Sequence, residues 1–427
     1  MNQEKPSALL TRRSFVRSSA LAVATIVSGR PHSTGAAMPS DISATGKRSD
    51  FLVASALLTP ADQFRDVSRG DPKIFSLKGD DLVRARLTPE TWRLEITPDA
   101  TPSPNANETA AVSKALRLAE GNALDLAALK ELGTTGGVRF LKAMQCLNIP
   151  SPLGQGLWEG VPLREVLRLC GAMKNVRRLY YWGYHNNDPK QLFQSSMSYT
   201  QAMETPPGGL PAFLAYRLNG EPLSLLRGGP VRMIVPWAHG FKSIKWLQSI
   251  VLTNDYKAND TYAEANNDPE SHLKTAAYAA DMPKSFRDRE PVLFRGLVIS
   301  GLSGLQRVEY CLTGGPAAAS AGTGKDTDIW NPCRLEEPPR DWRKVLPAGV
   351  STRRILGFDA KTGKPSSWPL PYSMISWSAA LNRLPPGKYS IRARAVDQNG
   401  FAQPEPRPNQ KSGMNALEVR EFEVMGA

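Results

Sequence analysis

Glycine and proline break this chain at short intervals, with 34 of the first and 35 of the second in 427 residues. Each proline removes a backbone donor and each glycine weakens a helix interior. Long helices are therefore disfavoured, and short strands joined by ordered loops are expected. Between these breaks lie strand patterns: "TWRLEITPD" (91–99), "GVRFLKAMQC" (137–146), "VRRLYYWGY" (176–184), "VRMIVP" (231–236) and "IKWLQSIVL" (244–252). "LDLAALKELG" (124–133) reads as a short amphipathic helix stopped by its glycine. After Cys146 a Gly/Pro-rich loop, a Trp-Glu-Gly turn and a helix over 162–171 are expected. "NGEP" (219–222) is a hairpin turn.

Strands and helices alternate without a βαβ repeat, which predicts an α+β domain over 91–288, preceded by an extended arm (41–90). Beyond 289 the texture changes to evenly spaced strands. In "GKYSIRARAVDQNGFAQP", Tyr389, Ile391, Ala393 and Ala395 fall on one face. Residues 289–427 therefore read as an immunoglobulin-like β-sandwich, with a surface insertion at "AAASAGTGKDTD".

The net charge is +13. No long Lys/Arg run or RNA-binding aromatic motif accompanies it, so nucleic acid is not an expected partner. An ordinary basic surface, or an anionic substrate, cofactor or acidic partner, fits this charge. The cysteines are Cys146, Cys170, Cys311 and Cys333, with no CxxC or CxxCH spacing, so neither a zinc ribbon nor a covalent haem is supported. Two disulfides are possible in an exported chain, but Cys170 recurs with Leu163, Val166 and Leu167 at helical spacing and reads as a buried helix residue. Near the N-terminus, Thr11-Arg12-Arg13-Ser14-Phe15 precedes a mildly apolar stretch too short and polar to span a bilayer stably. This segment (within 1–40) resembles a twin-arginine export signal, which implies a periplasmic protein and no stable membrane span.

Several blocks in order resemble the molybdopterin-dependent sulfite oxidase family: Gln145-Cys146, "WEGVPLREVL", "YYWGYHNNDPKQLFQSSMSYTQAM", "LAYRLNGEPL", "RGGPVRMIVP", "GFKSIKWLQSI" and the C-terminal "PPGKYSIRARAVDQNGFAQP". The resemblance implies a molybdenum cofactor, with molybdopterin carried by the domain and molybdenum ligated by the Cys146 thiolate. It implies that Arg227 and Arg232 of "RGGPVR", with Phe241, Lys242, Ser243 and Lys245 of "GFKSIK", surround the anionic cofactor. His185, Asn186 and Ser196 correspond to polar pterin contacts, and Tyr262 to the tyrosine that approaches the metal. The glycines of "RGGPVR" are expected to let the backbone approach the cofactor closely. His239, beside this loop, reads as structural.

Two departures bear on substrate. Cys146 is followed by Leu-Asn-Ile-Pro instead of the family's Cys-Ala-Gly-Asn-Arg, and the arm's Arg-Asn-His is replaced by "FRDVSRGDP", where Arg65 or Arg69 supplies the charge. The expected chemistry is oxygen-atom transfer coupled to two electrons. Its first candidate is sulfite oxidation with an external c-type cytochrome as carrier, and S-oxide reduction is the alternative. A homodimer through the C-terminal domain is implied. A non-catalytic secreted binding subunit is the competing class, and it would need neither Cys146 nor the basic loops.

Overall fold

The computed structural model describes residues 57–67, 73–101, 108–258, 260–261, 268–316, 328–404 and 415–426. The twin-arginine segment, Arg69, Tyr262 and the insertion at 317–327 lie outside the described residues. After the arm and a short helix α1 (Asp80–Arg84), the chain forms β1 (Arg93–Pro98), β2 (Ala111–Val112), β3 (Leu124–Asp125), α2 (Leu126–Gly136), β4 (Val138–Gln145) and β5 (Pro152–Pro162). Then follow α3 (Leu163–Arg168), β6 (Met173–Lys174), β7 (Arg178–Gly183), β8 (Gln194–Ser198), α4 (Tyr199–Met203), β9 (Phe213–Leu218), β10 (Glu221–Pro222), β11 (Arg232–Ile234) and β12 (Leu247–Thr253). The C-terminal part comprises β13 (Ala276–Ala279), β14 (Ser285–Arg287), β15 (Val292–Ile299), β16 (Arg307–Gly314), β17 (Trp330–Pro332), β18 (Arg334–Leu335), β19 (Met374–Leu381), β20 (Gly387–Val396) and β21 (Val419–Met425).

Two sheets carry the first part. One has the order β3-β1-β12-β7-β8, with β1 and β12 parallel. The other runs β10-β9-β5-β4, with β11 also on β9. Helices α2 and α3 bury Leu126, Leu129, Leu163, Val166 and Leu167 in one core with Leu94, Ile96, Tyr181, Ile250 and Leu252 of the first sheet. Cys170, one turn past α3, is buried in the same core. Asp125 caps α2 by accepting from the Ala128 amide, as an acidic N-cap should. The helix continues past Gly133 because that glycine packs against Tyr216, whose hydroxyl lies 2.5 Å from where a Cβ would stand. The expected hairpin turn forms at Asn219-Gly220, both left-handed, with φ of 53° and 85°.

The loop expected after Cys146 is mostly strand. β5 pairs with β4 on one side and β9 on the other, and it is buried along nearly its whole length. Its glycines lie where neighbours cross close by. A Cβ on Gly156 would meet Leu218 at 2.3 Å, and one on Gly160 would meet the Leu214 carbonyl at 2.0 Å. Read as punctuation, they conceal a strand. The architecture is consequently mostly β with few helices, and the helical share of the expected α+β domain is small.

The C-terminal strands form sheets β13-β15-β19-β18 and β14-β21-β20-β16-β17. Phe294 and Trp377 of the first sheet share a core with Ile391, Ala393, Ala395 and Phe422 of the second. Tyr389 also points inward, so all four residues read from the alternation are buried. This layer begins before residue 289: β13 pairs with β15 in the register Ala276↔Ile299, and β14 with β21. β4 is covered on both faces. Phe140 and Met144 pack with Trp158 and Phe213, while Ala143 packs against Ala276, Leu297 and Met374 of the C-terminal part. Among the described residues, no helix is long and apolar enough to cross a membrane.

Candidate active site

Cys146 stands just beyond the end of β4, partly buried beside Phe140, Met144 and Trp158. The loop that follows is held by Gln145, whose side-chain amide donates to the carbonyls of Cys146 (3.0 Å) and Ile149 (2.5 Å). Burial pushes the Cys146 thiol up. The backbone N–H groups of Asn148, Ile149 and Leu147 oppose this, as does the charge of Arg65. These amides, with a smaller contribution from the charge of Arg65, favour the anionic form of the sulfur as soon as a cation is there to share it. Arg65 comes from the arm. Its amide donates to Leu153 of β5 (2.8 Å), and its guanidinium donates to the fully buried Ser151 hydroxyl.

A group of cations lies on the same side of the second sheet. Arg232 of β11 lies over the Trp158 ring, 5.5 Å from its centroid, and donates to the carbonyls of Ser243 (3.0 Å) and Arg227 (3.2 Å). Arg227 donates to Phe64 O at 2.9 Å and keeps a buried Nε without a partner among the described residues. Lys245 pairs with Asp66 at 2.5 Å. Lys142 of β4 is fully buried, and among the described residues its ammonium meets only the carbonyls of Ala143 (3.1 Å) and Ala238 (3.4 Å). Burial is the main cause of the low pKa values here. It pushes Lys142 down to about 7, Lys245 to about 8 and Arg232 to about 9, and lowers Arg227 as well. Like charge adds to the effect, from Arg227 on Arg232 and from Arg232 on Lys142. Asp66 opposes it at Lys245, Arg232 and Arg227 but not at Lys142.

The glycines of "RGGP" serve the chain itself. A Cβ on Gly228, whose φ is +96°, would lie 2.7 Å from the Lys245 side chain, and one on Gly229 would lie 2.0 Å from the Leu223 carbonyl. The close approach expected toward a cofactor is made toward these neighbours. The other expected residues divide. Ser243 lies in the cation group, its hydroxyl accepting from the Val235 amide (3.1 Å). Lys242 points elsewhere: its ammonium, 5.5 Å from the Phe241 ring centroid, bonds the Ser196 carbonyl (2.7 Å) and Asp260 (2.5 Å). The Ser196 hydroxyl accepts from Arg178 (2.9 Å). His185 and Asn186 make their hydrogen bonds inside their own turn, to Gly183 O and Gln191. His239 is buried at the start of the loop, and Gly240 lies against the Gln145 carbonyl, so this loop borders the cysteine.

A family model described as an oxidoreductase molybdopterin-binding domain matches residues 125–261, the stretch from the N-cap of α2 to just past Asp260. Residues 125–261 are thus similar to a molybdopterin-binding oxidoreductase domain. The NADH nitrate reductase 2 of Phaseolus vulgaris is 29% identical over 219 residues, which is 43% of this chain and 23% of that protein. The inducible NADH nitrate reductase 1 of Glycine max is 30% identical over 218 residues, again 43% and 23%. The chain thus spans about a quarter of the length of these relatives. Among solved structures, the sulfane dehydrogenase SoxCD of Paracoccus pantotrophus shares the fold, with a TM-score of 0.57 over 87% of this chain and 84% of that one at 16% identity.

The matched model describes a molybdopterin-binding domain, and the donor set here suits molybdopterin with molybdenum. One half-buried thiol is served by three amides. Nearby, Arg227, Arg232 and Lys245 share the half-buried carboxylate of Asp66, Lys142 feels the charge of Arg232, and among the described residues Arg227 Nε lacks an acceptor. Such a group is short of negative charge, and a phosphate-bearing cofactor would supply it. Lys142, Asp66, Asp260 and Ser151 were not among the residues singled out from sequence. Lys142 alone carried a signal, a charge at the centre of an apolar strand.

Proposed function

We propose that the protein is an exported molybdenum enzyme that oxidises a small sulfur oxyanion, with sulfite the first substrate to test. The observation that carries this reading is Arg65. The charge expected just after the cysteine in sulfite-oxidising members is absent, and the arm supplies one, held on Ser151 in the loop that follows Cys146. In this reading Cys146 ligates the metal, while Arg232, Arg227 and Lys245 hold the phosphate end of the pterin. Bound molybdenum supplies oxygen-atom transfer coupled to two-electron chemistry. The chain's own part is to bind the anion through Arg65, to hold that guanidinium in place with Ser151, and to keep water out with the buried walls formed by Phe64, Phe140 and Trp158. Nitrate, the substrate that gives the similar plant reductases their name, is an anion that the same charge would attract, and the assay has to separate the two.

Export through the twin-arginine segment, delivery of electrons to an external c-type cytochrome, and dimerisation through an immunoglobulin-like C-terminal sandwich complete the proposal. Protein purified with molybdenum and pterin should reduce added cytochrome c on addition of sulfite, at a rate that falls as salt rises. Fully loaded protein without sulfite turnover, or with nitrate reduction instead, would overturn the assignment of substrate.

A further inference from the structure

We propose that Lys142 is a further cofactor-holding residue of this site, its ammonium kept charged by the negative charge of the bound molybdopterin. The inference rests on the cofactor site proposed above and adds to it a residue from a strand that the basic loops do not include.

Side chains two apart on a strand share a face, so Phe140, Lys142 and Met144 run along one side of β4, and Cys146, just past its end, packs against the same cluster as Phe140 and Met144. Across from Lys142 stands Gly156 of β5, whose place for a side chain is taken by Leu218, 2.3 Å from where a Cβ would stand. Beside it, Trp158 of β5 donates its indole N–H to the Lys142 carbonyl (3.3 Å) and lies under the guanidinium of Arg232. The loop after β11 follows β4 in the same direction. Its Ala238 carbonyl accepts from Lys142, and its Gly240 lies against the Gln145 carbonyl. Lys142 thus occupies the stretch between the cations around Arg232 and the thiol of Cys146.

Among the described residues, nothing balances this charge. Lys142 is 0% exposed, and among the described residues no carboxylate pairs with it. The charged group that acts on it is Arg232, and that interaction is repulsive. Lys242 and Lys245 each have an aspartate within 2.5 Å. A lysine that only stapled the loop to β4 would gain two carbonyl contacts and lose the hydration of its charge, a poor exchange that an apolar side chain avoids. An anionic ligand arriving beside Arg232 and Lys142 reverses that balance.

The test compares wild type with Lys142→Met and Lys142→Arg. Each is made in cells that synthesise the cofactor and in cells that do not. Molybdenum is measured by metal analysis, pterin by fluorescence after oxidative release, and the cofactor-free forms by thermal unfolding. Lys142→Met should leave the melting temperature of the cofactor-free protein unchanged or higher and lower molybdenum and pterin per chain by about tenfold or more, the loss of one charged hydrogen bond. Lys142→Arg should retain most of the cofactor. Equal loading of wild type and Lys142→Met would overturn the inference, and so would a cofactor-free Lys142→Met that melts lower or fails to fold, since that marks a structural staple. Wild-type protein without molybdenum or pterin would instead sink the reading of the site itself.

Discussion

The Lys242–Asp260 pair makes a sharp test of how this site is built. The two side chains are 5% and 0% exposed, with the ammonium 2.5 Å from the carboxylate. Asp260→Asn keeps the shape and removes the negative charge, leaving Lys242 with the Ser196 carbonyl and the face of Phe241. Burial already pushes Lys242 down in the intact protein, with Asp260 opposing. In the variant the cheapest response is to release the proton. For a side chain that titrates near ~10.4 when unfolded, this costs at most about 5 kcal/mol at pH 7. The figure lies at the top of the ~3–5 kcal/mol found on breaking buried ion pairs. The folded variant then holds Lys242 neutral while the unfolded chain holds it charged. The unfolded state binds more protons, and stability rises with pH. The deficit against wild type should therefore shrink by ~1.4 kcal/mol per pH unit, to about 2 kcal/mol at pH 9. Urea unfolding of cofactor-free protein at both pH values measures this. Replacing both partners, Lys242→Met with Asp260→Leu, should restore stability to within ~1 kcal/mol of wild type. A single-variant deficit below ~1 kcal/mol at pH 7, or one that grows with pH, would refute the reasoning.

Three further outcomes are expected. Cys146→Ser should fold and retain pterin but lose metal–sulfur ligation and nearly all turnover, because a hydroxyl is a poor substitute for a soft thiolate; X-ray absorption and steady-state kinetics report the two effects. Arg232→Ala should lower the pterin content of purified protein more than it lowers activity per bound pterin, and unchanged content would remove Arg232 from the site. Arg65→Ala should raise KM for an anionic substrate by roughly ten- to a hundred-fold, as expected for one charged hydrogen bond, with a smaller change in kcat. Its remaining rate should depend less on salt than that of wild type.

The periodicities read from the chain survive where one face of an element settles its place. Leu163, Val166, Leu167 and Cys170 are buried together, and so are Tyr389, Ile391, Ala393 and Ala395, because a stripe of apolar groups has only one way to leave water. Asp125 and the Asn219-Gly220 turn are equally local: a side-chain cap and two left-handed residues act within a few positions of themselves. Gly/Pro content misled where glycine was needed for close packing, as in β5 and "RGGP". There the cause is a neighbour distant in sequence, and a single chain read alone does not show it.

Sequence by itself determined the short strands, the cysteine that ends β4 and the order of the blocks that carry the family resemblance. Each of these rests on residue type and spacing. Tertiary structure decided which charges face one another. Lys242 is paired with Asp260, Lys245 with Asp66, and Arg65 is brought from the arm to Ser151, while Lys142 is left buried with no counter-charge among the described residues. Electrostatic roles depend on distance and on exclusion from water, and neither is written in the spacing of residues along the chain.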